Sequence, residues 1–531
     1  MSKVNVLLIG QISGSQTGGF SGNEPNAPTY LQTLAPTYLR NHFFGTFCAE
    51  PVFFLQLATE LRRAGLSVRI LDGLLGNNNK KTLEEELMRF EADIYAFSIF
   101  HSSYFSVIEI MKTIKRKNPN AIVVTGGTYA SIVYKQLLER HAEINYIVVG
   151  DGDEALPELC NNIIYKNHVS QIAGVACRKN GEVFLCQPKP VDINKVGQLA
   201  RDFGKEIIDN GFSFSMVSSR GCGYGVCSFC YLSPYQRISN HPKFRGRSPE
   251  LMVKEIKELQ EKYSIDRITF VDEDFFGPLK EGTERAVNFA KLLLKENIKI
   301  NYYVNGRINS VLYLIKNDYL KILSDSGLKY LFIGIESGSD KVLKKYKKGI
   351  TVEQIKEVAK TLDSHGIKIN PGIITFDPEL TMEDVKANID IIKEIGYYDI
   401  FVFTRKLVVL PGTQVGDSVY NWDLPDSRYP FQQSSITPED YFKDAKTTLL
   451  YHGLVQFRNL LYPIYYDFTS KFKYINPLHR ERLIKNHYLF FEGLYNNTAS
   501  DKILNLEDIE RFVKQGIEKT TKIVAEINSL Q

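Results

Sequence analysis

Short apolar, β-branched runs alternate with amphipathic stretches over residues 4–165. The runs at 4–9, 68–71, 94–98, 122–125 and 146–149 predict strands. Apolar positions at helical spacing predict helices near 51–64, 82–91, 104–117, 130–140 and 153–164. Apolar strands separated by helices imply a doubly wound parallel sheet covered on both faces. In such sheets ligands sit beyond the C-terminal ends of the strands. Those ends carry Gly10-Gln-Ile-Ser-Gly14, the stretch 98–103 with Ser98 and Ser102, Gly126-Gly127-Thr128 and Gly150-Asp-Gly-Asp-Glu154. Glycine lets backbone N–H groups approach a ligand, and serine or threonine adds a short donor. One such loop is ordinary turn chemistry, but several along one edge predict a binding site.

A hairpin is predicted at 174–186, turning at Lys179-Asn-Gly181, followed by a connector with Gln187-Pro-Lys-Pro190. A second series then begins. Its strands are predicted at 215–218, 267–271, 300–304, 330–335, 368–374 and 400–407, and its helices near 249–263, 282–296, 317–326, 339–346, 352–365 and 382–395. Six repeats suit a partial (β/α)6 barrel, TIM-like, with its site at the strands' C-terminal ends. Beyond Pro411-Gly-Thr413 the alternation stops, and 437–495 and 505–529 read as helices after an aromatic, proline-bearing loop at 422–431. The fold class is thus α/β: a Rossmann-like domain over 1–167, a hairpin and linker over 168–213, a partial barrel over 214–415 and a mostly helical region over 416–531. Paired aromatics in that last region, Tyr465-Tyr466 and Phe490-Phe491, place one ring of each pair off the buried face, where some are expected to line a substrate pocket.

Composition narrows the chemistry. A net charge of +4 on 531 residues, with both signs interspersed, gives no cause to expect a nucleic-acid or membrane partner. The first apolar run is too short for a secretory signal, and no window reaches the ~20 apolar residues of a membrane span, so a cytoplasmic location is expected. Seven cysteines do not make a disulfide framework in a chain this long. Cys48, Cys160, Cys177 and Cys186 are scattered singly and read as small buried hydrophobes. The other three fall within nine residues, in Cys222-Gly-Tyr-Gly-Val-Cys227-Ser-Phe-Cys230.

Three thiolates on a glycine-bearing loop just after a strand can converge on one metal centre. Three suffice for a four-iron cluster whose fourth iron stays open, whereas structural clusters and structural zinc take four ligands. His241 lies eleven residues beyond Cys230, so a zinc site of three cysteines and one histidine is the alternative that the cysteines alone leave open.

The string resembles the signature of the radical S-adenosylmethionine superfamily, and the likeness continues in order along the barrel. Glu255-Ile256, Phe270-Val-Asp-Glu-Asp-Phe275, Asn305-Gly-Arg307, Gly334-Ile-Glu-Ser-Gly-Ser339, Lys348-Gly349, Phe376-Asp-Pro378 and Pro411-Gly-Thr413 all take part. One departure is the four residues between Cys222 and Cys227, where the family usually has three. The glycines flanking Tyr224 make a one-residue bulge easy to accommodate. The resemblance implies an oxygen-sensitive [4Fe–4S] cluster on Cys222, Cys227 and Cys230 and reductive cleavage of S-adenosylmethionine. It implies Phe229 against the adenine, Asp272, Glu273 and Asp274 at the methionine amine or ribose, Arg307 at the carboxylate, and Glu336 with Ser337 on the ribose side.

The first domain resembles the cobalamin-binding domain of B12-dependent radical enzymes, through 51–72, Thr125-Gly-Gly-Thr128 and Gly150-Asp-Gly-Asp-Glu154. This implies cobalamin held by Gly10, Ser98, Ser102, Gly126, Gly127, Thr128, Gly150, Gly152 and Glu154. Other cobalamin proteins supply a lower-face histidine from D-x-H-x-x-G, whereas here the stretch is Asp72-Gly-Leu-Leu-Gly76. Leu74 and Leu75 offer cobalt nothing, and His101 is the nearest alternative, more simply read as a solvated or hydrogen-bonded loop histidine. Together the two domains imply a methyltransferase acting on an unactivated carbon of a small molecule or peptide, served by a reductase, flavodoxin or ferredoxin. A non-methylating radical cyclase or rearrangement enzyme is the alternative within the class, and a non-catalytic iron–sulfur or zinc module the alternative outside it.

Overall fold

The computed structural model describes residues 3–10, 50–72, 87, 89–101, 103–169, 171–209, 211–397, 400–419, 441–471 and 477–530. The expected residues Ser102, Leu74 and Leu75, with Cys48 and the loop 422–431, lie outside them. The first sheet holds β1 (Lys3–Ile9), β2 (Val68–Leu71), β3 (Glu91–Ser98), β4 (Ile122–Gly126) and β5 (Tyr146–Val148), all parallel, in the order β2-β1-β3-β4-β5. Alternate residues of these strands feed two cores. Leu7, Ile9, Tyr95, Phe97, Val123 and Ile147 pack on one face, and Val6, Leu8, Ile94, Ala96, Val124 and Val148 on the other. That two-sided burial is why the strands read as continuous apolar runs. Of the helix expected at 82–91, Leu87 and Arg89 are helical, while Glu91 already begins β3.

The hairpin assigned to the linker instead completes this sheet. β6 (Val175–Lys179) pairs antiparallel with β5, matching Cys177 to Tyr146, and β7 (Glu182–Leu185) pairs with β6. A parallel edge is thereby covered by a polar, antiparallel one.

The second unit is a five-stranded parallel sheet built from β8 (Phe214–Met216), then, after the small antiparallel pair β9 (Ser219–Gly221) and β10 (Phe244–Gly246), from β11 (Arg267–Phe270), β12 (Asn301–Arg307), β13 (Leu328–Glu336) and β14 (Lys368–Ile373). Along β13, Leu331, Ile333 and Ile335 are buried under the outer helices, while Tyr330, Phe332, Gly334 and Glu336 are half-buried on the opposite, lumen face. The expected sixth strand is not formed. Ile400–Phe403 is a short helix, and the strand survives as one parallel bridge between Phe376 and Lys406. The C-terminal helices explain the difference. Ala445–Lys471, Pro477–Ala499 and Leu506–Leu530 share one core with the barrel and cover the flank where a sixth strand would stand. Tyr451 meets Phe376 edge-on at 5.2 Å, and Phe491 meets Phe403 at 5.9 Å. Phe490 stacks on Phe457 at 3.6 Å, and both rings of the Phe490-Phe491 pair are buried in the core. No described helix is long and apolar enough to cross a membrane.

The two α/β units are joined by buried ion networks. Arg201 of the connector bridges Glu50 at 3.3 Å and Glu255 at 3.0 Å, while Arg247 holds the second oxygen of Glu255 at 2.7 Å. Nearer the cysteines, Asp153 takes Arg220 in a two-pronged bond of 2.6 and 2.8 Å. Asp151 accepts from Arg220 at 3.0 Å and from Arg245. Thus two carboxylates of the first domain hold two arginines of β9 and β10. Burial pushes the Asp151 carboxyl up, but Arg220 and Arg245 outweigh it and hold the group at about 2. The ordinary value is near 3.8, so the contribution of Asp151 to docking is complete above about pH 4 and is lost as the pH falls through about 2. Hydrogen exchange at 219–221 and 244–246, corrected for intrinsic rates, should therefore stay protected from pH 8 to about 4. A rise in exchange already between pH 7 and 5 contradicts this. Asp153→Asn should loosen the same amides at neutral pH by about 2–3 kcal/mol, because it leaves a half-paired buried guanidinium.

Candidate functional site

The cysteine loop leaves β9 and is tied down on two sides. Tyr224 donates from its hydroxyl to the Lys347 carbonyl at 2.7 Å, and Ser228 donates to the carbonyls of Tyr346 and Lys345 at 3.1 and 3.0 Å. The extra residue between Cys222 and Cys227 is absorbed at Gly225, whose φ of +61° is left-handed backbone that glycine adopts without strain. The three thiols sit together, each within the electrostatic reach of a neighbour. Burial pushes Cys222 up to about 11 and Cys230 up to about 12, and raises Cys227. Thiols this basic ionise at neutral pH only when a metal centre supplies the positive charge. Three thiols from one short loop are the donor set that an iron–sulfur cluster with one open iron would take. It does not fit zinc with a fourth ligand from His241. His241 turns instead to Asp151 of the first domain, at 3.5 Å.

Around the thiols the expected residues separate into three groups. Asp274 and Arg307 form a buried pair at 2.8 Å beside Cys222, whose Sγ is 3.6 Å from the same carboxylate. The second oxygen of Asp274 is buried without a hydrogen-bond partner. Glu336, at a positive φ of 59°, pairs with Lys348 at 3.0 Å, and both charges bear on Cys227. Two ion pairs thus flank the thiols, a surrounding that suits the zwitterionic amino-acid end of S-adenosylmethionine. Phe229 lies close by, its ring edge-on to Tyr346 at 5.1 Å.

Three expected contacts go elsewhere. Asp272 spends both oxygens on Ser218 and Ser219, accepting from their backbone N–H groups at 2.7 and 2.9 Å and from the Ser218 hydroxyl. It anchors the turn into β9 and faces no ligand space. Glu273 accepts from the Gly221 N–H at 3.1 Å and points to the other side of the loop, into the cavity described next. Ser337 is fully buried and donates to Asn388 at 2.5 Å. Lys348 had no expected role, although its motif was legible.

That cavity measures about 1350 Å³ with its open mouth and lies between the C-terminal edge of the first sheet and the back of the cysteine loop. Ser98, Gly126, Gly127, Thr128, Gly150 and Gly152 line one side, and Ser219, Arg220, Gly221, Tyr235, His241 and Glu273 the other. Gly150, at φ +92°, brings its backbone against the His241 ring, where a Cβ would stand 3.3 Å from Nε2. This close glycine edge and the unpartnered His241 nitrogen fit an amide-rich cofactor. Gly10 is buried beside Asp72 and Glu154 is exposed; neither lines the cavity, and the acids that the first domain gives it are Asp151 and Asp153. His101 is also off the wall. It sits 6.3 Å from the Tyr129 ring, and burial lowers its basicity to about 4, so it is neutral at physiological pH. The helix Leu232–Ser239, directly after Cys230, packs on Thr128–Ile132, so the cysteine loop and the cavity share one support.

Known proteins agree with this division. Residues 216–392 match the Radical SAM superfamily, and residues 46–160 match the B12 binding domain. An uncharacterized methyltransferase of Pyrococcus horikoshii is 26% identical over 375 residues, covering 69% of this chain and 77% of that protein. An anaerobic magnesium-protoporphyrin IX monomethyl ester cyclase of Synechocystis sp. is 22% identical, covering 66% of this chain and 68% of that protein. In fold, the chain is similar to the cobalamin-dependent S-adenosylmethionine radical enzyme OxsB solved with aqua-cobalamin and S-adenosylmethionine. The TM-score is 0.70 at 20% identity, covering 93% of this chain and 71% of that one. Domain order, cysteine loop and interdomain cavity thus lead to one conclusion: the chain belongs to the cobalamin-dependent radical S-adenosylmethionine enzymes.

Proposed function

We propose that the chain is a methyltransferase that moves a methyl group from S-adenosylmethionine, through cobalamin, to an unactivated carbon of a small-molecule or peptide substrate. The observation that carries this reading is the shared wall. Ser219, Arg220 and Gly221 line the cavity at the edge of the first sheet, and Cys222, next in the chain, faces Asp274 and Arg307 on the cysteine side of the loop. When bound, the cluster supplies the electron for cleaving S-adenosylmethionine and cobalamin supplies a transferable methyl.

The chain's own residues hold and orient. Cys222, Cys227 and Cys230 carry the cluster and leave one iron free. Arg307 with Asp274, and Lys348 with Glu336, present both signs of charge to the methionine amine and carboxylate, and Phe229 offers its ring to the adenine. The small residues at Ser98, Gly126–Thr128, Gly150 and Gly152 let the corrin edge approach the backbone. A flavodoxin, ferredoxin or reductase delivers the electron. Radical ring closure without methyl transfer is the second reading, and the likeness to the Synechocystis cyclase favours it.

The two readings part on the fate of the label. After anaerobic reconstitution with hydroxocobalamin, reductant and methyl-labelled S-adenosylmethionine, label should appear on the retained cobalamin. Label confined to methionine, with cobalamin unlabelled, would overturn methyl transfer. Cys222→Ala, Cys227→Ala and Cys230→Ala should each drop iron from about four per chain to near zero. Cys177→Ala, in the first sheet, should leave it unchanged. Glu336→Gln should weaken S-adenosylmethionine binding by roughly tenfold with iron content intact, the cost of one charged contact. Equal binding in that variant would place the substrate elsewhere.

A further inference from the structure

His241 comes from the barrel, on the turn between the helix Leu232–Ser239 and β10, yet its ring stands in the wall of the cavity capped by the first sheet. Its side chain is 2% exposed, and Nε2 has no hydrogen-bond partner. A buried polar nitrogen left unpaired is costly, and a native site recovers that cost when a ligand completes the bond. The tautomer follows from the neighbours. Arg245 can only donate, and its Nη2 lies 3.4 Å from Nδ1, so Nδ1 accepts and Nε2 carries the hydrogen. Asp151 Oδ2 is 3.5 Å from Nε2, but it already accepts from Arg245 and from the Val191 N–H at 3.2 Å. Tyr235 holds the ring edge-on at 5.6 Å, and Gly150, having no Cβ, lets its backbone lie against the ring without a clash at Nε2.

We infer that His241 is a cobalamin-binding residue contributed by the radical domain, donating from Nε2 to an amide carbonyl on the corrin rim and making no bond to cobalt. This rests on the cobalamin reading above and adds a contact that crosses between the domains. A protonated Nε2 has no lone pair for a metal, and Nδ1 is taken by Arg245. The corrin rim carries acetamide and propionamide carbonyls, acceptors of the kind that an imidazole N–H satisfies.

The test uses the full, reconstituted chain and hydroxocobalamin. Three proteins are compared: wild type, His241→Phe, which keeps the ring on Tyr235 and loses the donor, and His241→Gln, whose side-chain amide can donate from a similar position. Optical titration should show about five- to tenfold weaker cobalamin binding in His241→Phe and near wild-type binding in His241→Gln, with iron content and S-adenosylmethionine binding equal in all three. The Co(II) electron paramagnetic resonance spectrum of the wild type should lack nitrogen splitting. Equal affinity in His241→Phe overturns the contact. So does nitrogen splitting that His241→Phe removes, since it would make His241 a cobalt ligand. Loss of affinity in His241→Gln as severe as in His241→Phe also overturns it, because packing alone would then account for both. A wild type that retains no cobalamin defeats the cofactor reading itself, an outcome distinct from all of these.

Discussion

The grip of Asp151 and Asp153 on Arg220 and Arg245 is the contact on which the site depends. Arg220 lies two residues before Cys222, so the clamp fixes where the cysteine loop begins relative to the first sheet. Two carboxylates and two guanidiniums are buried together with little net charge. Such clusters cost desolvation, and what they return is specific geometry more than raw stability. Here that geometry is a common wall between the cavity and the cysteine loop. The helix Leu232–Ser239 completes it from the far end of the loop, its Tyr235 and Ile238 reaching the core of the first domain.

Much of this was legible in the sequence because it is local. The cysteine loop, the strand–helix alternation and the glycine-ended loops each fall within a few consecutive residues. Their physical causes, a period of two or 3.6 and a turn needing glycine, act over the same span. The strand run at 400–407 failed for the opposite reason. Its β-branched and aromatic residues have strand propensity, but Val402 and Phe403 are buried beneath the C-terminal helices, and tertiary packing decided the outcome.

The site residues divide on the same principle. Asp272, Glu273 and Asp274 are consecutive and alike in sequence, yet they serve a turn, a cavity and an ion pair. The strand end distributes them, and only the partners Ser218, Gly221 and Arg307 reveal which is which. Arg220 meets Asp153 across 67 positions, and no spacing rule announces such a pair. His241 was visible as a possible zinc ligand because of its distance from the cysteines along the chain. In space it belongs to the first domain, and its chemistry is that of a donor.

The central claim is that the cluster and cobalamin occupy one composite site, back to back across the segment from Ser219 to Cys222. The direct measurement is electron paramagnetic resonance of the holoenzyme with the cluster reduced and cobalamin as Co(II). The account predicts magnetic interaction between the two spins, seen as splitting or enhanced relaxation absent from protein carrying either centre alone. Two unperturbed spectra that simply superpose would contradict it.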